Sequence, residues 1–252
     1  GISNVDTRAI TIHIRSAGAM RAGIFSGDIV KSSDEMISEV RAAAEMKGRS
    51  LSATVSTKAS KLIPAPGKSF AKVAILDLGI KKSTIEHLGE RGLNVELFPA
   101  DSTSEEILAT SPDAFFFSNG PGDPAASGSQ VQMLRGLLKT GKPFFGICFG
   151  NQLLGRALGF ETYKLDFGHR GINQPVLNTA SGRVEVTAHN HGFAVQVDGD
   201  VAESPAGFGE VRVSHRGLND QVVEGLECTD IPAFSVQYHP EAAAGPHDSH
   251  YL

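Results

Sequence analysis

The chain has 252 residues, 40% of them hydrophobic and 20% charged, with a formal net charge of -5 and 2 cysteines. That length allows one large or two small domains, and without a basic stripe no nucleic-acid partner is expected. No apolar run approaches the roughly 20 residues of a membrane span, no signal peptide is read, and two cysteines make no disulfide framework, so a cytoplasmic setting is expected.

Along the chain, "RAITIHIRSAG" (Arg8 to Gly18) is ambiguous. Ile10, Ile12 and Ile14 alternate as in a strand, while Asp6 and Thr7 look like a helix cap. "GIFSGD" (Gly23 to Asp28) reads as a short strand and turn, and "SDEMISEVRAAAEMKG" (Ser33 to Gly48) as a helix capped by Ser33, with Met36, Val40 and Ala43 on one face. Residues 61–72, with Pro64, Pro66 and Gly67, read as a linker. The expected domains are therefore 1–60, a linker at 61–72, and 73–252.

From Val73 the rhythm is regular. Strands "VAILDLG", "NVELFPA", "AFFFSNGPGDP" and "PFFGI" alternate with helices "STIEHLGERG", "SEEILAT", "SQVQMLRGLLKTG" and "GNQLLGRALG". Near-continuous apolar strands between helices predict an α/β fold, a mostly parallel, doubly wound sheet covered on both faces. After about Glu161 shorter strands with turn residues between them predict an antiparallel addition. The part before the linker is read as a piece of a smaller N-terminal domain.

One stretch carries chemistry. Gly146-Ile147-Cys148-Phe149-Gly150 has the G-x-nucleophile-x-G form of an elbow between strand and helix. The helix N-terminus favours thiolate over thiol, and the Phe149 N–H points at a developing oxyanion. A packed core thiol remains the alternative. For a base, "FSVQYHPEA" places His239 at the end of an apolar strand, and Glu241 two residues on is positioned to hold its tautomer. A strand-capping histidine beside a solvated glutamate fits that spacing equally. "SNGPGDP" (Ser118 to Pro124) follows a strand and lets a ligand approach backbone, or is an ordinary turn. His189 and His191 flank Asn190, and His247 and His250 lie in "HDSH". Neither pair joins a carboxylate or cysteine at a zinc spacing, so no metal is expected. His215 and His87 read as solvated or locally satisfied, and Cys228 as structural.

Taken together, "SNGPGDP", "GICFGNQ", "HNHGF" and "QYHPEA" resemble the class I (triad) glutamine amidotransferases. "GISNVDTRAIT", "LDLGIK", "FGHRGINQPV", "TAHNHGFAV" and "VQYHPEAAAGPHDSHYL" narrow this to the small, glutaminase-chain family of carbamoyl-phosphate synthase. The resemblance implies that Cys148 attacks the amide carbon of L-glutamine, His239 moves the proton and Glu241 orients His239. It further implies glutamine contacts at Gly120, Gly122, Phe149, Gln152, Asn190, Gly192 and Phe193. The ammonia would pass to a large synthetase chain that uses ATP, Mg and bicarbonate to make carbamoyl phosphate for arginine and pyrimidine synthesis, with no cofactor in this chain. The family's pattern also implies a chain that starts part-way into the N-terminal domain, lacks that domain's glutamine-contacting serine, and stops before a last helix. Phe149 and Asn151 stand where the wider class commonly has Leu and His. Without the resemblance, the triad alone suits an amide hydrolase, a thioesterase or a peptidase, and a non-catalytic regulatory chain is the further alternative.

Overall fold

A computed structural model describes residues 3–242 of the chain. Its N-terminal part holds three helices, α1 (Thr7–Ala17), α2 (Ser33–Ala42) and α3 (Ser52–Val55). The ambiguous first segment is helical: the Asp6 carboxylate accepts from Ala9 N at 2.8 Å, and the three alternating isoleucines remain exposed. The N-cap of α2 is Ser32 rather than Ser33, because Glu35 at the third helical position completes a capping box with it. The helix stops at Ala42, short of the expected Gly48, where the Arg21 guanidinium donates to the carbonyls of Arg41 and Ala43 at 2.6 and 2.8 Å. "GIFSGD" forms no strand. No strand among the described residues pairs with it, and only a short turn of 3-10 helix, Gly27–Ile29, appears there.

The remainder is built on one sheet. After strand β1 (Lys61–Ile63), strands β2 (Ala71–Leu76), β3 (Leu93–Phe98), β4 (Ala114–Phe117) and β5 (Phe144–Ile147) alternate with helices α4 (Lys82–Glu90), α5 (Ser104–Ala109) and α6 (Gly128–Leu138). Helix α7 (Phe149–Ala157) follows β5, and then come β6 (Glu161–Asn178), β7 (Arg183–Gln196), β8 (Val201–Glu203), β9 (Glu210–Gly217), β10 (Val223–Cys228) and β11 (Ala233–Val236). The order is β1-β3-β2-β4-β5-β11-β10-β9-β6-β7, with β8 on β9. The pairs β3–β2, β2–β4, β4–β5 and β5–β11 are parallel and the others antiparallel. Residues 61–63, inside the proline-rich stretch, join the sheet edge as β1.

Apolar residues on both faces of the parallel strands explain the covering helices. On β4, Phe115 and Phe117 pack with α6 and α7 residues such as Leu134 and Leu153, while Phe116 packs on the opposite face with Leu88 of α4. The antiparallel part departs from expectation in length. Instead of short strands, β6 and β7 form a long hairpin, continuous through register shifts between Lys164 and His169 and between Gly171 and Gln174.

The last parallel strand, β11, lies directly beside β5 with Val236 opposite Ile147, and Cys148 N donates to Val236 O at 2.9 Å. The loops after β2, β4, β5 and β11 thus share one carboxyl edge, where open α/β sheets bind ligands. At Gly150 an added Cβ would lie 2.2 Å from Phe117 O. We expect Gly150→Ala to lose stability in the upper part of the ~1–3 kcal/mol overpacking range, because the obstacle is backbone. Urea denaturation checks this, and a change below about 0.5 kcal/mol would contradict so close a fit.

Candidate active site

Cys148 is the residue between β5 and α7, and its backbone is left-handed, with φ 55° and ψ -97°. A non-glycine residue there marks local strain held by its surroundings. The surroundings are two close approaches. A Cβ at Gly146 would come within 2.7 Å of the Gly150 carbonyl, and one at Gly150 would strike Phe117 O. The first intrahelical bond of α7 runs from Gln152 N to Cys148 O at 3.2 Å, so the Phe149 N–H precedes that ladder.

His239 lies three residues beyond β11 and is 8% exposed. Its backbone N donates to Ala188 O of β7 at 2.8 Å, which ties the loop to the hairpin. Nδ1–H donates to Glu241 Oε1 at 2.7 Å, which leaves Nε2 as the ring nitrogen outside that bond. Burial pulls the His239 pKa down, but the charge and hydrogen bond of Cys148, together with Glu241, outweigh it and push the value up to about 9. Burial would raise the Glu241 carboxyl, yet the hydrogen bond and charge of His239, joined by Lys81, hold it below the ordinary range.

The sequence alone does not single out Lys81. Its Nζ is 2.9 Å from Glu241 Oε1 and 3.3 Å from His239 Nδ1. Because Nδ1 already donates its proton, the ammonium's true partner is the carboxylate. The only signal available is its place just after β2 at the shared sheet edge. Glu241 is 2% exposed and accepts from His239, so Lys81 supplies a permanent cation beside a buried carboxylate.

The expected glutamine contacts separate into groups. Gly120 and Gly122 lie in the turn after β4, half-buried, and a Cβ at Gly120 would meet Leu78 O at 2.2 Å. Residues 48–50 seal the far side of this turn: Gly48 N donates to Asp123 Oδ2 at 2.7 Å, and Ser50 bridges Gly122. Gln152 is buried, with Nε2 donating to Phe193 O at 2.9 Å and to Gln237 Oε1 at 3.1 Å, so its amide joins α7 to β7 and to the segment carrying His239. Asn151 does the same from the other side, donating to Gln237 Oε1 at 3.0 Å and accepting from Ser235 Oγ at 2.8 Å. That network accounts for an amide at this position. On β7, Asn190 is exposed, Gly192 half-buried and Phe193 buried.

The other candidates are placed too. Cys228 is buried, and burial first, then Glu227 and Asp230, push its thiol up to about 12, which leaves it inert. His215 is buried and hydrogen-bonded to Asn178 and Ser214 at 3.3 and 3.0 Å. His247 and His250 lie outside the described residues. His189 and His191 are buried beside His169 and Glu224, a grouping drawn from three strands that linear spacing does not reveal. Both cysteines are free, and among the described residues no helix is long and apolar enough to cross a membrane.

The arrangement of Cys148, His239 and Glu241 suits attack by sulfur on a carbonyl carbon. Removing the negative partner of His239 should destabilise its imidazolium. We therefore expect an NMR titration of His239 to centre near 9 in the parent and clearly lower in Cys148→Ser. Because the folded value lies above the unfolded one, this group stabilises the fold at neutral pH and loses that contribution as pH rises through about 9. An unchanged midpoint in Cys148→Ser would show that sulfur does not hold the proton.

Comparison with known proteins places this geometry in context. The family model described as glutamine amidotransferase class-I matches residues 74–252. The carbamoyl phosphate synthase small chain of Streptomyces avermitilis is 57% identical over 253 residues, covering 100% of this chain and 66% of that protein. That of Streptomyces coelicolor is 56% identical over 253 residues with the same coverage, 100% and 66%. The chain thus spans 66% of the length of these curated relatives. Among solved structures, a putative GMP synthase subunit from Thermoplasma acidophilum matches with a TM-score of 0.57 at 19% identity, covering 71% of this chain and 88% of that one. At that identity the likeness is one of fold.

Proposed function

The chain belongs to the class-I glutamine amidotransferases, and we propose that it is the glutaminase chain of a glutamine-dependent carbamoyl-phosphate synthase. The observation that carries the reading is the Cys148–His239–Glu241 set at the carboxyl edge, beside the Gly120–Gly122 turn. The names of its relatives support the choice of substrate and partner.

In this reading the Cys148 sulfur adds to the side-chain carbonyl carbon of L-glutamine. Negative charge moves to the carbonyl oxygen, where the N–H of Phe149 and the Gly120 turn stabilise it. Collapse breaks the C–N bond, and the proton held on His239 goes to the departing nitrogen, which leaves as ammonia. A γ-glutamyl thioester remains on Cys148. Water then attacks that carbon, His239 takes its proton, and the C–S bond breaks to give glutamate and the free Cys148 thiolate, which with the proton on His239 restores the starting pair. Glu241, with Lys81 beside it, keeps the His239 ring oriented through both halves. Asn190, Gly192, Phe193 and Gln152 line or brace the substrate's place.

The ammonia passes to a large synthetase chain, which supplies ATP, Mg and bicarbonate chemistry, and the glutamine hydrolysis in this chain uses no cofactor. Two free thiols suit a reducing cytoplasm.

The test is release of glutamate and ammonia from glutamine, with and without a large synthetase chain. We expect turnover in the parent, at least 10³-fold less in Cys148→Ser on the scale of losing a nucleophile, and carbamoyl phosphate still formed from added ammonia by the Cys148→Ser complex. Loss of the ammonia-dependent reaction too, or cleavage of peptides in preference to glutamine, would contradict the reading.

A further inference from the structure

Three histidines and a glutamate converge under the β6–β7 hairpin. His169 of β6 pairs in register with His191 of β7. His189 shares the face of His191, because strand side chains repeat every second residue. Glu224 enters from β10. One ligand atom from each lies within 4.8 Å of the others. His189, His191 and Glu224 are 4%, 5% and 0% exposed.

The surrounding hydrogen bonds fix where the protons sit. A carbonyl can only accept, so His191 donates Nδ1–H to Phe193 O at 2.9 Å and its Nε2 is bare. Thr187 donates its hydroxyl proton to Gln174 O at 2.9 Å. Its Oγ1 therefore accepts His189 Nε2–H at 2.7 Å, which leaves His189 Nδ1 bare. These two bare nitrogens face each other at 3.1 Å. Glu224 closes on the same point, with Oε2 3.5 Å from His189 Nδ1 and Oε1 3.7 Å from His191 Nε2. Oε1 is also 2.8 Å from His169 Nδ1, whereas Oε2 is buried and has no hydrogen-bond partner among the described residues. Two bare nitrogens and an unpartnered carboxylate oxygen are costly when buried together. A cation at their common centre makes the same arrangement favourable.

We propose that His169, His189, His191 and Glu224 form a tetrahedral site for a divalent transition-metal cation of the zinc class. Metal–nitrogen bonds of about 2.0–2.1 Å put tetrahedral ligand atoms roughly 3.3–3.4 Å apart. The four ligand atoms lie within 4.8 Å of one another, and the individual separations of 2.8, 3.1, 3.5 and 3.7 Å, to one or other Glu224 oxygen or between His189 and His191, fall on both sides of that value. The donor set, imidazoles with one carboxylate, suits zinc better than magnesium or calcium. Each histidine is steered by its second nitrogen: His169 Nε2 lies 2.7 Å from Asp220 Oδ2, and the other two rings donate to Phe193 O and Thr187. On binding, His169 Nδ1 gives up its proton to solvent and Nε2–H keeps its bond to Asp220. His169 and Asp220 also line a cleft of about 990 Å³ beside α1, which offers a path for entry. A cation here joins β6, β7 and β10 on either side of Asn190, so it fixes the backbone of residues 189–191.

The test uses the chain in a Cys148→Ser background, which removes the sulfur as a competing ligand. After chelation, Zn²⁺ is titrated by calorimetry and Co²⁺ by visible absorption. We expect one cation per chain, an intense tetrahedral Co²⁺ spectrum and a higher Tm with Zn²⁺. His169→Gln and Glu224→Gln should each weaken binding by on the order of 10–100-fold or more. His169, with a side chain 15% exposed, keeps the test sound if the buried Glu224 variant fails to fold. No stoichiometric uptake by the parent, or equal uptake by His169→Gln, would overturn the proposal whatever the outcome with glutamine.

Discussion

The carbonyl of Phe117 occupies the space that any side chain at residue 150 would need. Only because Gly150 leaves that space clear can α7 start one residue after Cys148 and press against β4 and β5. The clearance holds Cys148 in its left-handed conformation, at the top of a strand and the foot of a helix. The same packing aligns β5 with β11, because Cys148 N continues their pairing to Val236 O. His239 then follows three residues later on the neighbouring strand's exit. Sulfur and imidazole meet because two parallel strands end side by side.

Electrostatics depends on that placement. His239 and Glu241 are both buried, and each alone would lose its charge there. Together with Cys148 and Lys81 they reverse the effect, so His239 is pushed up and Glu241 down. Buried side chains around them pair with one another: Asn151 and Gln152 both donate to Gln237 Oε1 and the Ser235 hydroxyl donates to Asn151, which ties α7 to the segment that carries His239, while Gln237 Nε2 has no partner among the described residues. Such networks keep a site rigid when their members are paired.

Much of this was legible in the residues. Apolar strands alternating with helices gave the parallel half, and the glycines flanking Cys148 marked the elbow, since clashes at such a turn restrict the residue type directly. His239 and Glu241 were legible because they are two residues apart. Lys81 ends the quoted "LDLGIK" stretch, but its role was not legible, because its partner Glu241 is far away in the chain. The His169–Glu224 cluster was equally hidden, since its four members come from three strands that only the fold assembles. In the N-terminal part, "GIFSGD" misled because a strand needs a neighbour's edge as well as a β-forming composition. After Glu161 the turn residues looked like gaps between short strands, yet the β6–β7 pair absorbs irregularities as register shifts within one long hairpin.

In the proposed reaction everything turns on Cys148 as the residue that carries the acyl group. The most direct measurement mixes the protein with glutamine, quenches with acid on the timescale of one turnover, and maps the adduct by peptide mass spectrometry. One γ-glutamyl group on the Cys148 peptide, absent from Cys148→Ser, is the predicted result. Glutamine turned over with no adduct there, or with the adduct on another residue, would contradict that role.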